Sequence, residues 1–297
     1  MTIQFNCPTC NAIIAFSDKH CGKRARCQTC GQLFIIPSSD HEKPQKVEVK
    51  IAKGKPLPGF YRAVFVDTWK LFIDPANGVQ FIFVIAMVCF NFLLGRAICC
   101  VGFLAFVATW GWLLGFYLNI IYETAFDIDK LPEIYLGTSI TFLWYIIQPF
   151  LVFFFTMIAA QASFIAALIL LKDEGLTYQN MWDGYSGLQL LLQGLFVLGL
   201  FIFPIAILTT AVGKDITMLR PDYLLPPIFR AFVPYIIVVG LLAAAAALEM
   251  HATAYAGKNA AASALDLSLN LAVQVLAIIA MRAIGLFYRH YSCHFRW

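Results

Sequence analysis

The sequence predicts an all-α polytopic membrane protein of about six transmembrane helices with a small N-terminal β zinc-ribbon domain. Of the 297 residues, 61% are hydrophobic and only 13% are charged, and long apolar runs recur between residues 79 and 288. Soluble domains carry about 25% charged residues, so a soluble enzyme, a secreted disulfide scaffold and a disordered chain are excluded. Two CxxC motifs near the N-terminus predict the ribbon.

Four cysteines within residues 1–37 have the spacing of a tetrahedral zinc site. Cys7 and Cys10 form one CxxC motif, Cys27 and Cys30 form the second, and sixteen residues separate the two motifs. Each motif lets two thiolates of one tight turn face the same ion. We therefore predict one structural Zn²⁺ with four thiolate ligands, which leaves no open position for catalysis.

Redox and disulfide roles for these cysteines fit less well. A redox CxxC pair requires a βαβ unit, and a structural disulfide requires an oxidising compartment. His20 and Cys21 lie between the motifs, and neither has a partner at CxxC spacing. Because so small a module has little core, metal binding is expected to supply most of its folding free energy, about 10–16 kcal/mol.

The charge of the ribbon argues against nucleic acid as a partner. Its basic residues exceed the nearby acidic residues by two, and a Zn²⁺ with four thiolates carries a formal charge that cancels this surplus. No aromatic residues interleave the basic ones. The ribbon is therefore expected either to dock a protein partner or to have a purely structural role.

Two segments connect the ribbon to the membrane domain. Residues 38–58 are polar and lysine-rich, which predicts a flexible basic linker; attraction to anionic lipid and a simple soluble tether both remain open. Residues 59–75 place aromatic and aliphatic side chains on one half of a helix and Arg62, Asp67 and Lys70 on the other. This pattern predicts an amphipathic helix at the inner leaflet.

The membrane domain, residues 79–288, contains six apolar runs. The third is too long for one straight span, so we predict one helix that bends at Pro149 and extends past the bilayer. The predicted spans are 79–95, 97–122, 136–171, 187–212, 228–250 and 265–288, followed by a tail at 289–297.

The distribution of basic residues predicts the topology. The chain opens without a basic segment followed by an apolar run, so no signal peptide is expected. With the N-terminus inside, 18 Lys and Arg residues fall on the inner side and three on the outer side. Both termini are therefore predicted to be cytoplasmic.

Few groups in the spans carry chemistry. No HExxH, GxSxG, Walker or paired-carboxylate motif occurs, so no enzymatic activity is predicted. Glu249, His251 and Asp266 flank the loop between the last two spans, where they either form a proton or metal site or mark the membrane boundary. Arg282 lies one turn inside the last span, and it is expected to extend to the interface in a structural role.

Two further features concern helix packing. Pro149, Pro204 and Pro234 interrupt spans, as in transporters with broken helices, although proline is also common in membrane helices for packing reasons. Gly240 and the run Ala243–Ala247 predict a flat face for close helix approach.

Several blocks together resemble a known architecture. CPTC…CGKRARCQTCGQLFIIP resembles the N-terminal zinc ribbon of uncharacterised bacterial polytopic membrane proteins. The remaining blocks are similar to recurring segments of a family joined to such ribbons: FYRAVFVDTWKLFIDPANG, YETAFDIDKLPE, FPIAILTTAVGKD, LPPIFRAFVPY and MRAIGLFYRHYSCHFRW.

The resemblance implies an architecture but no reaction. It implies Zn²⁺ ligation at Cys7, Cys10, Cys27 and Cys30 and a location in the bacterial cytoplasmic (inner) membrane. Cys21 occupies a position where such ribbons often have a small residue, so an alternative ligand stays open. We predict an integral membrane protein whose cytosolic ribbon mediates protein docking or assembly. The alternative is a small-solute or lipid transporter or channel, and either could be an oligomer.

Overall fold

The structure, a computed structural model, divides the chain into two compact units, Met1–Gly54 and Lys55–Trp297. The residues that it describes are 2–6, 13–17, 24–26, 33–37, 45–46, 54–94, 99–134, 140–174, 176–178, 180–182, 184, 186–213, 219–253, 255 and 259–295.

The described part of the first unit consists of short antiparallel strands. In one sheet β1 (Thr2–Asn6) pairs with β2 (Ile13–Ser17), and in the other β3 (Arg24–Arg26), β4 (Leu33–Ile35) and β5 (Gln45–Lys46) pair in that order. β2 and β4 fall in the apolar runs that follow the two CxxC motifs. β5 lies within the predicted linker, so part of residues 38–58 has regular secondary structure.

The second unit is helical. Its first helical turns are α1 (Phe60–Arg62), a π-helical turn (Ala63–Asp67) and α2 (Thr68–Ile73), which together form what we call the amphipathic segment. The longer helices are α3 (Gly78–Leu94), α4 (Cys99–Ala125), α5 (Ile140–Ala160), α6 (Ala162–Leu170), α7 (Gly187–Gly213), α8 (Pro221–Arg230), α9 (Phe232–His251) and α10 (Ala260–Tyr291).

Among the residues that the structure describes, six stretches of helix are long and apolar enough to cross a membrane, in agreement with the predicted number of spans. Their mean hydropathy lies between 1.6 and 2.5. These stretches are Pro75–Leu94, Gly102–Ala125, Leu143–Ala160, Gly187–Gly213, Phe232–His251 and Ala260–His294.

The third predicted span differs from the observed helices. Residues 136–171 were expected to form one helix, but α5 ends at Ala160 and α6 begins at Ala162. The break is at Gln161, whose Nε2 donates a hydrogen bond to the Phe196 carbonyl oxygen of α7 at 3.2 Å. The helical assignment of α5 continues through Pro149. The departure from helical geometry therefore lies at Gln161 (φ −91°, ψ 8°) and not at Pro149, although the Gln161 N–H still donates to the Met157 carbonyl oxygen.

Two further boundaries differ from the predictions. The predicted span 228–250 begins within α8, and Ala231 leaves helical geometry (φ −127°, ψ 46°) before α9 starts. The predicted tail 289–297 is largely helical to residue 294, because α10 extends to Tyr291 and a 3₁₀ turn follows. Phe295 is buried, with its ring 6.2 Å from that of Phe287. Local apolar packing therefore orders this end of the chain.

α10 is the central helix of the second unit and packs against α4 and α9. At the contact between α10 and α4, a Cβ on Gly285 would lie 2.7 Å from the Ile121 carbonyl oxygen. Only glycine therefore permits the observed distance between these two helices. α4 also approaches α5 closely, because a Cβ on Gly115 would lie 3.1 Å from Pro149 Cγ. The predicted packing residue Gly240 has no atom within 4 Å of an added Cβ. Close approach therefore occurs at different glycines from the one predicted.

The amphipathic segment has two apolar faces. Phe60, Val64, Thr68 and Leu71 are buried, and the Phe60 ring lies 5.6 Å from that of Tyr291 in α10. The other apolar face remains exposed in the structure, as expected of a segment that contacts lipid. Its large side chains are Tyr61, Phe65, Val66, Trp69 and Ile73.

Candidate functional site

A buried arginine in α10 forms an ion pair with the loop between α4 and α5. The Arg282 side chain is 5% exposed, and its Nη2 donates a hydrogen bond to Asp129 Oδ1 at 2.9 Å. Arg289 lies about two helical turns later on the same face of α10. Its guanidinium contacts the carboxylates of Asp127 and Asp129. These ion pairs hold the α4–α5 loop against α10.

The backbone of the loop explains why both carboxylates reach α10. Asp127 has a left-handed conformation (φ 72°), which reverses the chain directly after α4. Aspartate adopts this conformation more readily than most residues with a side chain. Asp127 and Asp129 therefore both lie beside Arg289.

The amphipathic segment and α10 line a cavity of about 610 Å³, which we call the arginine pocket. The Leu57 N–H donates to the His290 carbonyl oxygen at 2.9 Å, and His290 Nδ1 lies 3.0 Å from the Leu57 carbonyl oxygen. Lys70 Nζ donates to Asp67 Oδ1 at 2.6 Å, and this hydrogen bond lowers the pKa of Asp67 below its ordinary value. The pocket is lined by Arg62, Asp67, Lys70, Asp129, Arg282 and Arg289, among others.

Asn77 connects the amphipathic segment to the α4–α5 loop. Its side chain is buried, Nδ2 donates to the Leu71 carbonyl oxygen at 3.0 Å, and Oδ1 accepts from the Leu131 N–H at 3.0 Å. Both backbone groups would be unpaired and buried without this side chain, which is energetically costly. Asn77 therefore fixes the positions of the amphipathic segment and the α4–α5 loop, which line the arginine pocket and the larger cavity described next.

The next residues of the same loop line a larger cavity of about 1010 Å³, which we call the polar cavity. Residues of α3, α4, α5 and α7 complete its wall. Gln80 Oε1 is buried and has no hydrogen-bond partner within the described part of the chain. The carboxylate residues Glu123 and Glu133 both line it. The polar side chains that line it include Gln80, Asn119, Glu123, Lys130, Glu133 and Gln148.

A smaller cavity of about 180 Å³ shares part of this wall and includes the α4–α5 contact. Asn119, Glu133 and Gln148 line both cavities, and the smaller one adds Gly115 and Pro149. Proline has no N–H, so α5 lacks one helical hydrogen bond at this position. Pro149, one of the three prolines in the predicted spans, therefore borders this smaller cavity.

Of the predicted site residues, Glu249, His251 and Asp266 line none of these three cavities. Cys7, Cys10, Cys27 and Cys30 lie outside the described residues. Each CxxC motif nevertheless falls in the segment that connects two paired strands, β1 with β2 and β3 with β4. Four thiolates are a donor set that Zn²⁺ prefers, and the zinc site stays a prediction.

The predicted polar cluster lies at the facing ends of α9 and α10. Glu249 and His251 lie in the last turn of α9, and Asp266 lies near the start of α10. Among the described residues, no group of three His, Cys, Asp or Glu side chains is placed to hold a metal ion. His251 is exposed, in agreement with a position at the end of a span.

The sequence contained signals for the residues that line the cavities. Arg282 and Arg289 are seven residues apart in an apolar helix, and Asp127 and Asp129 are acidic residues two positions apart in the predicted cytoplasmic loop between the second and third spans. Opposite charges at these two places could have suggested pairing. Asn77 had no comparable signal, because one asparagine between a proline and a glycine is typical of an ordinary turn.

The fold and the cavities define a class of protein: a polytopic α-helical membrane protein with a polar cavity between its helices. Comparison of the chain with protein-family models, with curated proteins and with solved structures found no match.

Proposed function

We propose that this protein binds a small solute that donates hydrogen bonds, such as an organic cation, in the polar cavity and acts as a transporter or channel. One observation carries the proposal: two carboxylates, Glu123 and Glu133, and the carboxamide residue Gln80 line one large cavity between the helices and the α4–α5 loop. Ionisable side chains in membrane helices are costly and usually serve a function. The volume is also typical of ligand-binding sites.

The charge of the cavity favours a cationic or donor-rich solute. Glu123 and Glu133 outnumber Lys130 among its charged lining residues. The carboxamides of Gln80, Asn119 and Gln148 offer both donors and acceptors. A solute with several N–H groups could pair with these acceptors, whereas an anion would face two carboxylates.

The topology prediction gives the direction in which this cavity opens. The C-terminal ends of α4 and α7 and the N-terminal ends of α3 and α5 form the cavity, and the distribution of basic residues places these ends at the cytoplasmic side. We therefore propose a cytoplasmic entrance in a bacterial inner membrane. Alternating access would require a second arrangement of these helices.

Binding of small cations to the purified full chain tests this proposal. The chain is titrated in neutral detergent with guanidinium, putrescine and tetramethylammonium chlorides, and the shift in apparent Tm is measured at constant ionic strength. We expect at least one cation to stabilise the wild type. Glu123→Gln should weaken that cation's binding by about tenfold, the equivalent of about 1.4 kcal/mol.

Glu249→Gln provides the matched control, because Glu249 is also a half-buried carboxylate in a membrane-length helix but does not line the polar cavity. Its affinity for the cation should equal that of the wild type. Uptake of the radiolabelled cation into proteoliposomes then distinguishes transport from binding alone. The absence of stabilisation by all three cations, or an equal loss in both variants, would contradict the proposal.

A second function is proposed for the N-terminal unit: a structural zinc ribbon that docks a protein partner. The supporting observation is that both CxxC motifs lie in connections between paired antiparallel strands. Proteins that co-purify with the full chain are compared with those of the Cys7→Ser and Cys27→Ser variants. We expect a partner to be lost with the metal, and an unchanged set of proteins would argue against docking.

A further inference from the structure

Glu133, one of the two carboxylates of the proposed cation site, belongs to a loop and not to a helix. It lines both the polar cavity and the smaller cavity beside it. The other carboxylate, Glu123, lies in α4, so the packing of that helix fixes its position. A binding residue on a loop is held less precisely by its own element and depends on contacts from neighbouring elements. The position of Glu133 therefore requires such a contact.

The Asn77 side chain makes this contact at Leu131, two residues before Glu133. Asn77 Oδ1 accepts a hydrogen bond from the Leu131 N–H at 3.0 Å, and both residues are buried. The two residues are 54 positions apart, so the bond joins separate parts of the chain. A buried N–H without an acceptor is costly, and the hydrogen bond therefore favours one position of the loop.

The backbone between Leu131 and Glu133 is short and stiff. The ring of Pro132 restricts its φ angle to about −65°. Pro132 also restricts Leu131, the residue before it, to extended conformations. The side chains of Leu131 and Pro132 are buried as well. A displacement of the Leu131 N–H would therefore displace Glu133 with it.

Asn77 is itself held in place by its neighbours. It ends the 3₁₀ turn Pro75–Asn77, and its N–H donates to the Asp74 carbonyl oxygen at 3.0 Å. Its Nδ2 donates to the Leu71 carbonyl oxygen at 3.0 Å. Asn77 also lines the polar cavity, but both polar atoms of its carboxamide bond to the backbone of the protein. The side chain thus connects two segments of the fold.

We propose that Asn77 is a positioning residue for the cation site, which acts through the Leu131 N–H and Pro132 to hold Glu133 in the wall of the polar cavity. The attraction between a carboxylate and a cation depends on their distance, so a displaced Glu133 binds the solute more weakly. This inference rests on the proposed function, because it concerns the same cavity and the same solute.

The test is a double-mutant cycle on the full chain in neutral detergent. The probe is whichever of guanidinium, putrescine and tetramethylammonium chlorides binds the wild type most tightly, and isothermal titration calorimetry gives its Kd at constant ionic strength. Asn77→Ala removes the acceptor of the Leu131 N–H and should weaken binding by about fivefold. Glu133→Gln should weaken binding by at least as much, because it removes the charge that Asn77 positions.

The two carboxylate variants then separate positioning from a general structural role. In a Glu123→Gln background, Asn77→Ala should again weaken binding by about fivefold, because Glu133 is still present. In a Glu133→Gln background the same substitution should weaken binding by less than about twofold, because the residue that it displaces no longer carries a charge.

Asn91→Ala is the matched control, since Asn91 is an asparagine of α3 that does not line the polar cavity, and its Kd should equal that of the wild type. If Asn77→Ala fails to fold, Pro132→Ala replaces it. That variant loosens the backbone before Glu133 without removing a hydrogen-bond donor, because proline has no N–H. It should weaken binding by about threefold, and again only where Glu133 is present.

Three results would overturn this inference alone, while Glu123→Gln weakens binding as proposed. The first is an unchanged Kd in Glu133→Gln. The second is an unchanged Kd in Asn77→Ala, or in Pro132→Ala where that variant replaces it. The third is equal weakening by this substitution in the Glu123→Gln and Glu133→Gln backgrounds, which would indicate a direct contact with the solute or a general loss of structure. If none of the cations binds the wild type, the proposed function fails and this inference fails with it.

Discussion

Arg282 and Asp129 lie 153 positions apart in the chain, yet the arginine Nη2 donates to the aspartate Oδ1 at 2.9 Å. The two side chains differ in environment, because that of Arg282 is 5% exposed and that of Asp129 is 55% exposed. The carboxylate thus remains partly hydrated while it compensates a buried cation. Such an arrangement avoids the cost of burying both charges, and it joins the last helix to the α4–α5 loop.

Replacing Asp129 should destabilise the fold. Asp129→Asn removes the negative charge and leaves the buried Arg282 guanidinium without its counter-ion, so we expect a loss of about 1–3 kcal/mol in the free energy of unfolding. Reversible unfolding in mixed detergent and SDS micelles measures this value. The control is Asp222→Asn, because both side chains of the Arg220–Asp222 ion pair are exposed. This substitution should lower the free energy of unfolding by less than about 0.5 kcal/mol. Equal losses in the two variants would contradict the role assigned to Asp129.

Asn77 is expected to be essential for the position of the α4–α5 loop. Asn77→Leu removes hydrogen bonds from two buried backbone groups, at an expected cost of about 1–3 kcal/mol for each group. The control Asn91→Leu changes the same residue type in the helix that follows, α3, but Asn91 Oδ1 is buried and without a partner in the described structure. We expect Asn91→Leu to be neutral or stabilising in the same unfolding assay. If Asn91→Leu destabilised the protein more than Asn77→Leu, the two hydrogen bonds of Asn77 would be unimportant for stability.

The contact between α4 and α10 should not tolerate an additional methyl group. Gly285→Ala would place a Cβ 2.7 Å from both the Ile121 carbonyl oxygen and Thr124 Cβ, so the helices must separate at a cost of about 1–3 kcal/mol. Gly240→Ala is the control, since an added Cβ there meets no atom within 4 Å. It should instead stabilise α9 by about 0.5–1 kcal/mol because alanine favours a helix. The apparent Tm values of the two variants test both predictions, a decrease for Gly285→Ala and an increase for Gly240→Ala.

Zinc content tests the predicted ribbon directly. Wild-type protein purified without added metal should contain about one zinc ion per chain, because four thiolates complete a tetrahedral site. Cys7→Ser and Cys27→Ser should each lower this content, whereas Cys293→Ser in the 3₁₀ turn after α10 should not. Inductively coupled plasma mass spectrometry gives the ratio of metal to protein. Wild-type protein that lacks zinc and contains oxidised cysteines would disprove the site.

The sequence predicted the parts of the fold that depend on hydrophobicity. The sequence contains six apolar stretches, and among the described residues six helices are long and apolar enough to cross a membrane. The thickness of the bilayer sets the length of a span, and its apolar interior sets the composition. The amphipathic pattern around Arg62 and Lys70 likewise predicted the helical segment before α3. Helix ends were less predictable: the third predicted span, for example, contains a boundary at Gln161, which lies within one apolar run.

The candidate sites depended on information that one sequence does not provide. Glu249, His251 and Asp266 were selected because they are polar residues near one loop, and their role stays a prediction. The described residues contain no group of three His, Cys, Asp or Glu side chains placed to hold a metal ion. Glu123 and Glu133 line one cavity because α4 and its following loop fold around it.

What the sequence alone determined was the composition of each segment: a cysteine-rich unit, an amphipathic segment and six apolar helices. These properties follow from residue type and spacing, since hydrophobicity and helical periodicity act locally. The tertiary structure decided which charges meet, as Arg282 and Asp129 do, and where polar side chains surround empty volume. Such pairings join residues far apart in the chain, and they form only when α10, α4 and the amphipathic segment pack together.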